Sequence, residues 1–346
     1  MAAVYYGPGD LRLEERPLPA LRDPTDAIVK VSLSTICTSD LHILHGAVPR
    51  AVPGTVLGHE FVGQVVETGP GVKNISPGDR VAANCITFCG QCWFCQHGYI
   101  NNCQRGGWEL GCRIDGCQAE YVRVPFADQG LTAIPSSLSD EGALFVGDIL
   151  SSGYFGAELC QIQPGDTIAV LGAGPVGLCA MECARLFGAG RVIAVDIDQS
   201  RLDIAQKQAL CDRCVNPLTE DVIHVINMLT QGRGADGVIE AAGGNDTFEL
   251  AWRIARPNAI VALVAMYEQE QCLPLPQMYG KNLIFKTGGV DATHCGRLLD
   301  LLSCGRLRTD FLITQREPLN RILSAYEDFS SKKAGNLKWV ITPLQQ

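Results

Sequence analysis

The sequence predicts an α/β protein in which a β-rich domain is interrupted by a doubly wound parallel-sheet domain. Three observations carry this. The first 125 residues hold short Val- and Ile-rich runs parted by Gly- and Pro-rich turns, with no helical period. From about residue 138, strand-like and helix-like segments alternate. One glycine-rich turn joins a strand to a helix midway along the chain.

Taken in order, residues 27–35, 61–68, 79–83 and 119–124 read as strands, because their apolar residues run or alternate with β-branched types. Pro53-Gly54, Gly69-Pro70-Gly71 and Pro77-Gly78 punctuate them as turns. Ser139-Asp140-Glu141 caps a helix expected over 140–160. Strands at 168–172, 192–196, 237–243 and 260–265 then alternate with helices near 175–188, 199–209, 219–231 and 246–255. Ten- to fifteen-residue helical patterns between strands mean βαβ units. The rhythm is lost from about 293, where helices near 295–304 and 318–329 precede a short strand at 338–342. The expected domains are 1–151 for the β-rich part, 152–292 for the parallel sheet, and 293–346 for a return to the first.

The length of 346 residues suffices for two or three domains with real cores. Hydrophobic residues make up 47% and charged residues 19%, which excludes a disordered chain. A net charge of −9 with no five-residue basic run argues against nucleic acid as a partner. No secretory signal opens the sequence, and the apolar stretch 168–181 is too short for a bilayer, so a soluble, cytoplasmic protein without membrane partners is expected. Sixteen cysteines in such a chain point to metal rather than to a disulfide scaffold.

Gly172-Ala173-Gly174-Pro175-Val176-Gly177 is a G-x-G-x-x-G turn that follows a strand, opens a helix, and precedes Asp196 by 19 residues. That context reads as a dinucleotide site. Gly172 permits the tight turn, Gly174 lets the backbone approach a pyrophosphate, and Gly177 lets helix and strand pack closely. Asp196 accepts hydrogen bonds from ribose hydroxyls and, with Asp198 close by, repels a 2′-phosphate, which favours NAD over NADP. The competing reading is an ordinary glycine turn in an α/β domain.

Cys89, Cys92, Cys95 and Cys103 place four thiols within 15 residues as C-x2-C-x2-C-x7-C. Four soft ligands on short knuckles suit a closed structural zinc site. An iron–sulfur cluster is the rival, but its usual last gap is shorter and is followed by Pro, where this chain has Gln104. Four unrelated thiols is the bland alternative. The remaining cysteines (85, 112, 117, 160, 179, 183, 211, 214, 272, 295 and 304) are expected to be buried apolar fillers, with Cys85 and Cys295 at the edge of the pocket.

Residues 58–69 (GHEFVGQVVETG), 77–81 (PGDRV), the cysteine lobe and 170–178 (VLGAGPVGL) stand in one order along the chain. Together with Cys37-Thr38-Ser39-Asp40-Leu41-His42 they make the sequence resemble the zinc-containing medium-chain alcohol dehydrogenases, and within them the bacterial secondary-alcohol dehydrogenases. The resemblance implies a GroES-like catalytic domain with a Rossmann cofactor domain. It implies Cys37, His59 and Asp148 as ligands of a catalytic zinc, Glu60 as a neighbour able to exchange onto the metal, and Asp40 as the carboxylate that orients His59. Ser39 and His42 match proton-relay positions; Ile86, Trp108 and Tyr267 match pocket positions; Lys338 matches a cofactor contact. A homo-oligomer, with a tetramer expected, follows from the same likeness. Two departures stand out: the best-known members of that branch prefer NADP and lack the structural zinc, whereas this chain has Asp196 and four lobe cysteines.

The implied cofactors are NAD and two zinc ions per chain, and the implied reaction is hydride transfer between a small alcohol and NAD, giving a ketone or aldehyde. Zinc acidifies the alcohol, and its proton leaves by Ser39, the ribose hydroxyls and His42. A polyol or amino-alcohol dehydrogenase of the same family is the enzymatic rival, disfavoured by the apolar pocket residues. A non-enzymatic NAD- and zinc-binding redox sensor is disfavoured by the complete Cys37, His59, Asp148 and Ser39 set. A zinc-ribbon nucleic-acid module is made remote by the charge. For Asp148, a helix cap remains the alternative to a ligand.

Overall fold

The structure is a computed structural model that describes residues 1–331 and 335–343. Two compact units divide the chain: Met1–Ser151 with Asp291–Gln346, and Ser152–Val290. The second boundary falls two residues before the expected one.

In the first unit the strands are β1 (Ala2–Gly7), β2 (Asp10–Glu14), β3 (Ala27–Ile36), β4 (Thr55–Val56), β5 (Phe61–Thr68), β6 (Arg80–Ala83), β7 (Tyr121–Val124) and β8 (Leu131–Ala133). In the second they are β9 (Thr167–Leu171), β10 (Arg191–Val195), β11 (Arg213–Val215), β12 (Ala235–Glu240), β13 (Ala255–Leu263) and β14 (Ile284–Thr287); β15 (Ile313–Pro318) and β16 (Lys338–Thr342) return to the first.

The first unit is built on a sheet ordered β15-β16-β3-β5-β6-β8, with β7 also on β3, beside a small sheet β2-β1-β4. Ten-residue β3 is its spine. The C-terminal β16 pairs antiparallel with it, Trp339 opposite Ile36, so residues some 300 apart in sequence become neighbours. Phe61, Val65, Val81 and Val122 fill the core beneath.

Two local expectations change here. The first 125 residues are not free of helix: Thr38–Leu44 is helical. No apolar period announces it, because its support is tertiary. Cys37 stands extended before it, and the Asp40 carboxylate accepts the Cys37 N–H at 2.9 Å. The single helix expected over 140–160 is two, Asp140–Ala143 and Ile149–Leu159. Ser139 caps the first, its hydroxyl accepting the Gly142 N–H. The chain then turns against the end of β6, where the Gly147 carbonyl accepts the Cys85 N–H at 3.1 Å. A Cβ on Gly147 would lie 1.7 Å from the Ala83 carbonyl oxygen, so only glycine allows this approach.

In the second unit six parallel strands run in the order β11-β10-β9-β12-β13-β14. Counted from β9 this is 3-2-1-4-5-6, the doubly wound order whose crevice opens where β9 and β12 lie side by side. Both faces of the sheet are covered, so β9 is buried throughout and reads as an unbroken apolar run. Strands β11 and β14, three and four residues long at the two edges, leave too short a pattern to read in sequence. No helix among the described residues is long and apolar enough to cross a membrane.

Candidate active site and metal centres

The end of β3 delivers Cys37, the residues before β5 deliver His59 and Glu60, and the turn before Ile149–Leu159 delivers Asp148. All three candidate ligands are buried, and their donor atoms lie within 4.8 Å of one another. The His59 Nε2 to Asp148 Oδ2 distance is 3.2 Å, and the Cys37 Sγ to Asp148 Oδ2 distance is 3.8 Å. One sulfur, one imidazole nitrogen and one carboxylate oxygen converging in this way fit a catalytic zinc with one position left open. Burial works against the charge on Asp148, but His59, Lys338 and Cys85 hold its pKa below the usual value. Burial alone would lower the pKa of His59; hydrogen bonds to Asp148, Asp40 and Cys37 raise it well above the ordinary range. A metal must displace that proton, so binding weakens as pH falls.

Around these residues lies a layer that sequence reading caught only in part. His59 Nδ1 faces Asp40 Oδ1 at 3.4 Å. The other oxygen of Asp40 accepts from Cys37 N and from Gln118 Nε2, at 2.9 and 3.2 Å. Gln118 in turn donates to the Thr35 carbonyl and accepts the Tyr326 hydroxyl. Gln118 and Tyr326 were missed: 208 positions separate them, and each reads in sequence as ordinary core or strand.

Lys338 was expected on the cofactor; its surroundings give it another partner. Its side chain is 2% exposed, and Nζ lies 2.5 Å from Glu60 Oε2, because β16 carries it alongside Thr35 and Ile36 of β3. The Thr35 hydroxyl donates to the same Glu60 oxygen. Although burial opposes it, Cys37, Glu60 and Asp148 hold Lys338 protonated. Burial raises the pKa of the Glu60 carboxyl, with Lys338 and Thr35 pulling it back.

Ser39 and His42, three residues apart on the helix Thr38–Leu44, share a face, and Ser39 Oγ is 3.7 Å from Cys37 Sγ. Trp108 meets the His59 ring edge-on, with centroids 5.6 Å apart. A two-way backbone bridge between Thr87 and Gly107 holds the neighbouring residues Ile86 and Trp108 in place. Tyr267 belongs to the other unit, where it packs against the Phe248, Trp252 and Met278 cluster. Burial first, then Glu240, raises its phenol pKa.

The four lobe thiols form a second donor set. Successive sulfur separations are 3.6 Å for Cys89–Cys103, 3.5 Å for Cys92–Cys95 and 4.0 Å for Cys92–Cys103. Tetrahedral zinc with bonds of about 2.3 Å demands sulfurs about 3.8 Å apart, within that range. The N–H groups of Cys89 and Arg105 point at Cys103 Sγ, as a thiolate requires. Backbone N–H groups of Cys95 and Gln104 pull the Cys92 thiol down to about 6.

In the second unit Gly172 has φ +95° at the end of β9, and a Cβ on Gly177 would lie 1.8 Å from the Gly172 carbonyl oxygen. Gly174 caps the helix Pro175–Leu186, with Pro175 and Val176 in its first turn. Its Cα faces open space bounded by Arg201, whose Nη1 lies 3.7 Å from where a Cβ would stand. Asp196, at the end of β10, accepts from Ala173 N at 2.6 Å and from Asp198 N at 2.8 Å. A helix N-terminus with open space before its cap, beside a carboxylate, fits a dinucleotide.

A sheet with its crevice at a glycine turn, together with a buried Cys–His–Asp set and a four-thiol lobe, defines a zinc-binding dehydrogenase. Residues 23–136 match the alcohol dehydrogenase GroES-like domain and residues 175–297 match the zinc-binding dehydrogenase family. The chain belongs to the zinc-containing medium-chain alcohol dehydrogenases. It is similar to an alcohol dehydrogenase of Cupriavidus necator, 37% identical over 369 aligned positions that cover 99% of this chain and 98% of the relative. An NADP-dependent isopropanol dehydrogenase of Thermoanaerobacter brockii is 36% identical, covering 87% of each. Among solved structures, the alcohol dehydrogenase TADH from Thermus sp. ATN1 matches with a TM-score of 0.92 at 37% identity, covering 99% of both chains. The protein is thus a zinc-dependent alcohol dehydrogenase of the nicotinamide-using kind.

Proposed function

We propose that this enzyme interconverts small secondary alcohols and ketones with NAD, holding two zinc ions per chain. The observation that carries the reading is the convergence of Cys37, His59 and Asp148 beside the indole of Trp108. These three residues would hold a metal, whose Lewis acidity would lower the pKa of an alcohol hydroxyl. Asp40 fixes the His59 ring, and Ser39 takes the alcohol proton and passes it towards His42 along one helix face. Trp108 and Ile86 are apolar, which suits an unfunctionalised alkyl chain better than a polyol. The Gly172 turn and Asp196 would hold a nicotinamide cofactor, which would supply the hydride acceptor. A tetramer also belongs to this reading: Leu275, Tyr279 and Ile284, at and just before the edge strand β14, offer exposed apolar surface for a second copy.

NAD rather than NADP is supported by charge. The Asp196 carboxylate has lone pairs left for ribose hydroxyls, and Arg201 beside the glycine turn leans on Asp198 at 3.7 Å. One experiment tests substrate and cofactor together. Initial rates with 2-propanol, 2-butanol, 2,3-butanediol, benzyl alcohol and sorbitol are measured with each dinucleotide. The secondary monoalcohols are expected to lead with NAD, and Asp196→Gly to narrow or reverse the cofactor ratio. Equal kcat/KM for NAD and NADP in the unaltered enzyme removes the cofactor assignment, and a lead by sorbitol removes the substrate class.

Asp40→Asn tests the orienting role. One carboxylate oxygen faces His59, and the other accepts two donors from Cys37 and Gln118. An amide must therefore turn a donor towards a donor on one side. Affinity for the catalytic zinc is expected to fall about 10–100-fold, read by chelator competition, with the lobe metal unaffected.

A further inference from the structure

Outside both metal-ligand sets, another pair of thiols meets. Cys211 and Cys214 lie where the chain leaves the helix Gln199–Lys207 and enters β11, and their sulfurs are 3.3 Å apart. The expectation that these cysteines are buried fillers does not hold: both are half-buried and within reach of solvent, and Cys272 and Cys304 are exposed outright. The backbone around the pair is tied down. The Asp212 N–H donates to the Val192 carbonyl, and its carboxylate accepts the Val192 N–H and pairs with Arg185 at 2.6 Å. Arg213, Cys214 and Val215 run in register with Ile193, Ala194 and Val195. Zinc does not explain the pair, since among the described residues it is in neither group of three or more potential ligands. A disulfide needs sulfurs at about 2.05 Å, so the gap to close is roughly 1.2 Å. The Cys211 thiol, hydrogen-bonded to the Cys214 sulfur, and the Arg213 guanidinium lower the pKa of Cys214, against burial and Asp203. The same contact with Cys214 raises that of Cys211.

We infer that Cys211 and Cys214 are a dithiol–disulfide couple oxidised by hydrogen peroxide. The Cys214 thiolate attacks a peroxide oxygen, the O–O bond breaks, and hydroxide leaves and is protonated to water. The resulting sulfenic acid is attacked by the Cys211 sulfur, which gives up its proton as the second water departs. Two electrons pass from the two sulfurs to one peroxide.

The test uses the full-length, zinc-loaded enzyme, treated with a few equivalents of hydrogen peroxide, acid-quenched, alkylated and digested for mass spectrometry. The peptide carrying both residues is expected to escape alkylation at both and to be lighter by two hydrogen atoms, reversibly with dithiothreitol. Cys211→Ser should leave a dimedone-reactive sulfenic acid on Cys214, and Cys214→Ser should leave Cys211 open to alkylation. Full alkylation of both thiols in the unaltered enzyme overturns the proposal, as does pairing of either with any other cysteine. None of these readouts depends on alcohol turnover.

Discussion

Asp148→Ala is expected to fold, to keep one zinc per chain, and to lose at least about a hundredfold in kcat/KM, the upper scale for perturbed metal sites. The carboxylate stands 3.2 Å from His59 Nε2 and 3.8 Å from Cys37 Sγ, so its removal leaves two donors where a catalytic zinc uses three. Were Asp148 merely the cap of the helix Ile149–Leu159, the cost would be about 1 kcal/mol of stability, with turnover intact. Zinc analysis and steady-state rates separate the two outcomes. Full activity would leave Glu60 as the third ligand, and Glu60 would then have to leave Lys338, now 2.5 Å away.

Cys103→Ser should reduce zinc from two ions to one per chain and lower the melting temperature by on the order of 10 °C, given the several kcal/mol that structural zinc supplies to folding. The lobe has little else to stand on. Its regular structure is one turn at Trp93–Gln96 and a tight turn at Ile100–Asn102, with Trp93 and Tyr99 exposed. Cys103 sits centrally, 3.6 Å from Cys89 and 4.0 Å from Cys92, with two N–H groups aimed at its sulfur. Serine is a hard, poorly ionised ligand and does not replace a thiolate on zinc. Activity should fall less than stability, because the lobe thiols share no ligand with Cys37, His59 and Asp148. Elemental analysis and thermal unfolding check this. One zinc per chain before mutation, or iron with visible absorption, would remove the structural-zinc assignment.

The parts legible in sequence are those whose physics is local. Strand β9 is buried on both faces and reads as a continuous apolar run. The Gly172 turn follows at once, since φ +95° and a 1.8 Å approach leave no room for a side chain. The four lobe cysteines fall within 15 residues and meet as sulfurs without help from distant chain.

What stayed hidden was decided by pairing between distant segments. The helix Thr38–Leu44 has no period of its own and exists because Asp40 closes on Cys37 while Gln118 holds Asp40 from 78 residues away. The break within 140–160 comes from Gly147 pressing against β6, which no pattern inside 140–160 encodes. Asp148 comes to His59 across 89 positions, known beforehand only through resemblance. Lys338 reaches Glu60 because β16 pairs with β3, and no pattern in the sequence encodes this buried ion pair. Readable along the chain were the four lobe thiols, a glycine turn and the alternation that builds a parallel sheet. Folding set which of the distant donors meet and how burial and neighbouring charges act on each carboxylate. Those outcomes depend on distances between residues that burial and strand register, rather than chain proximity, bring together.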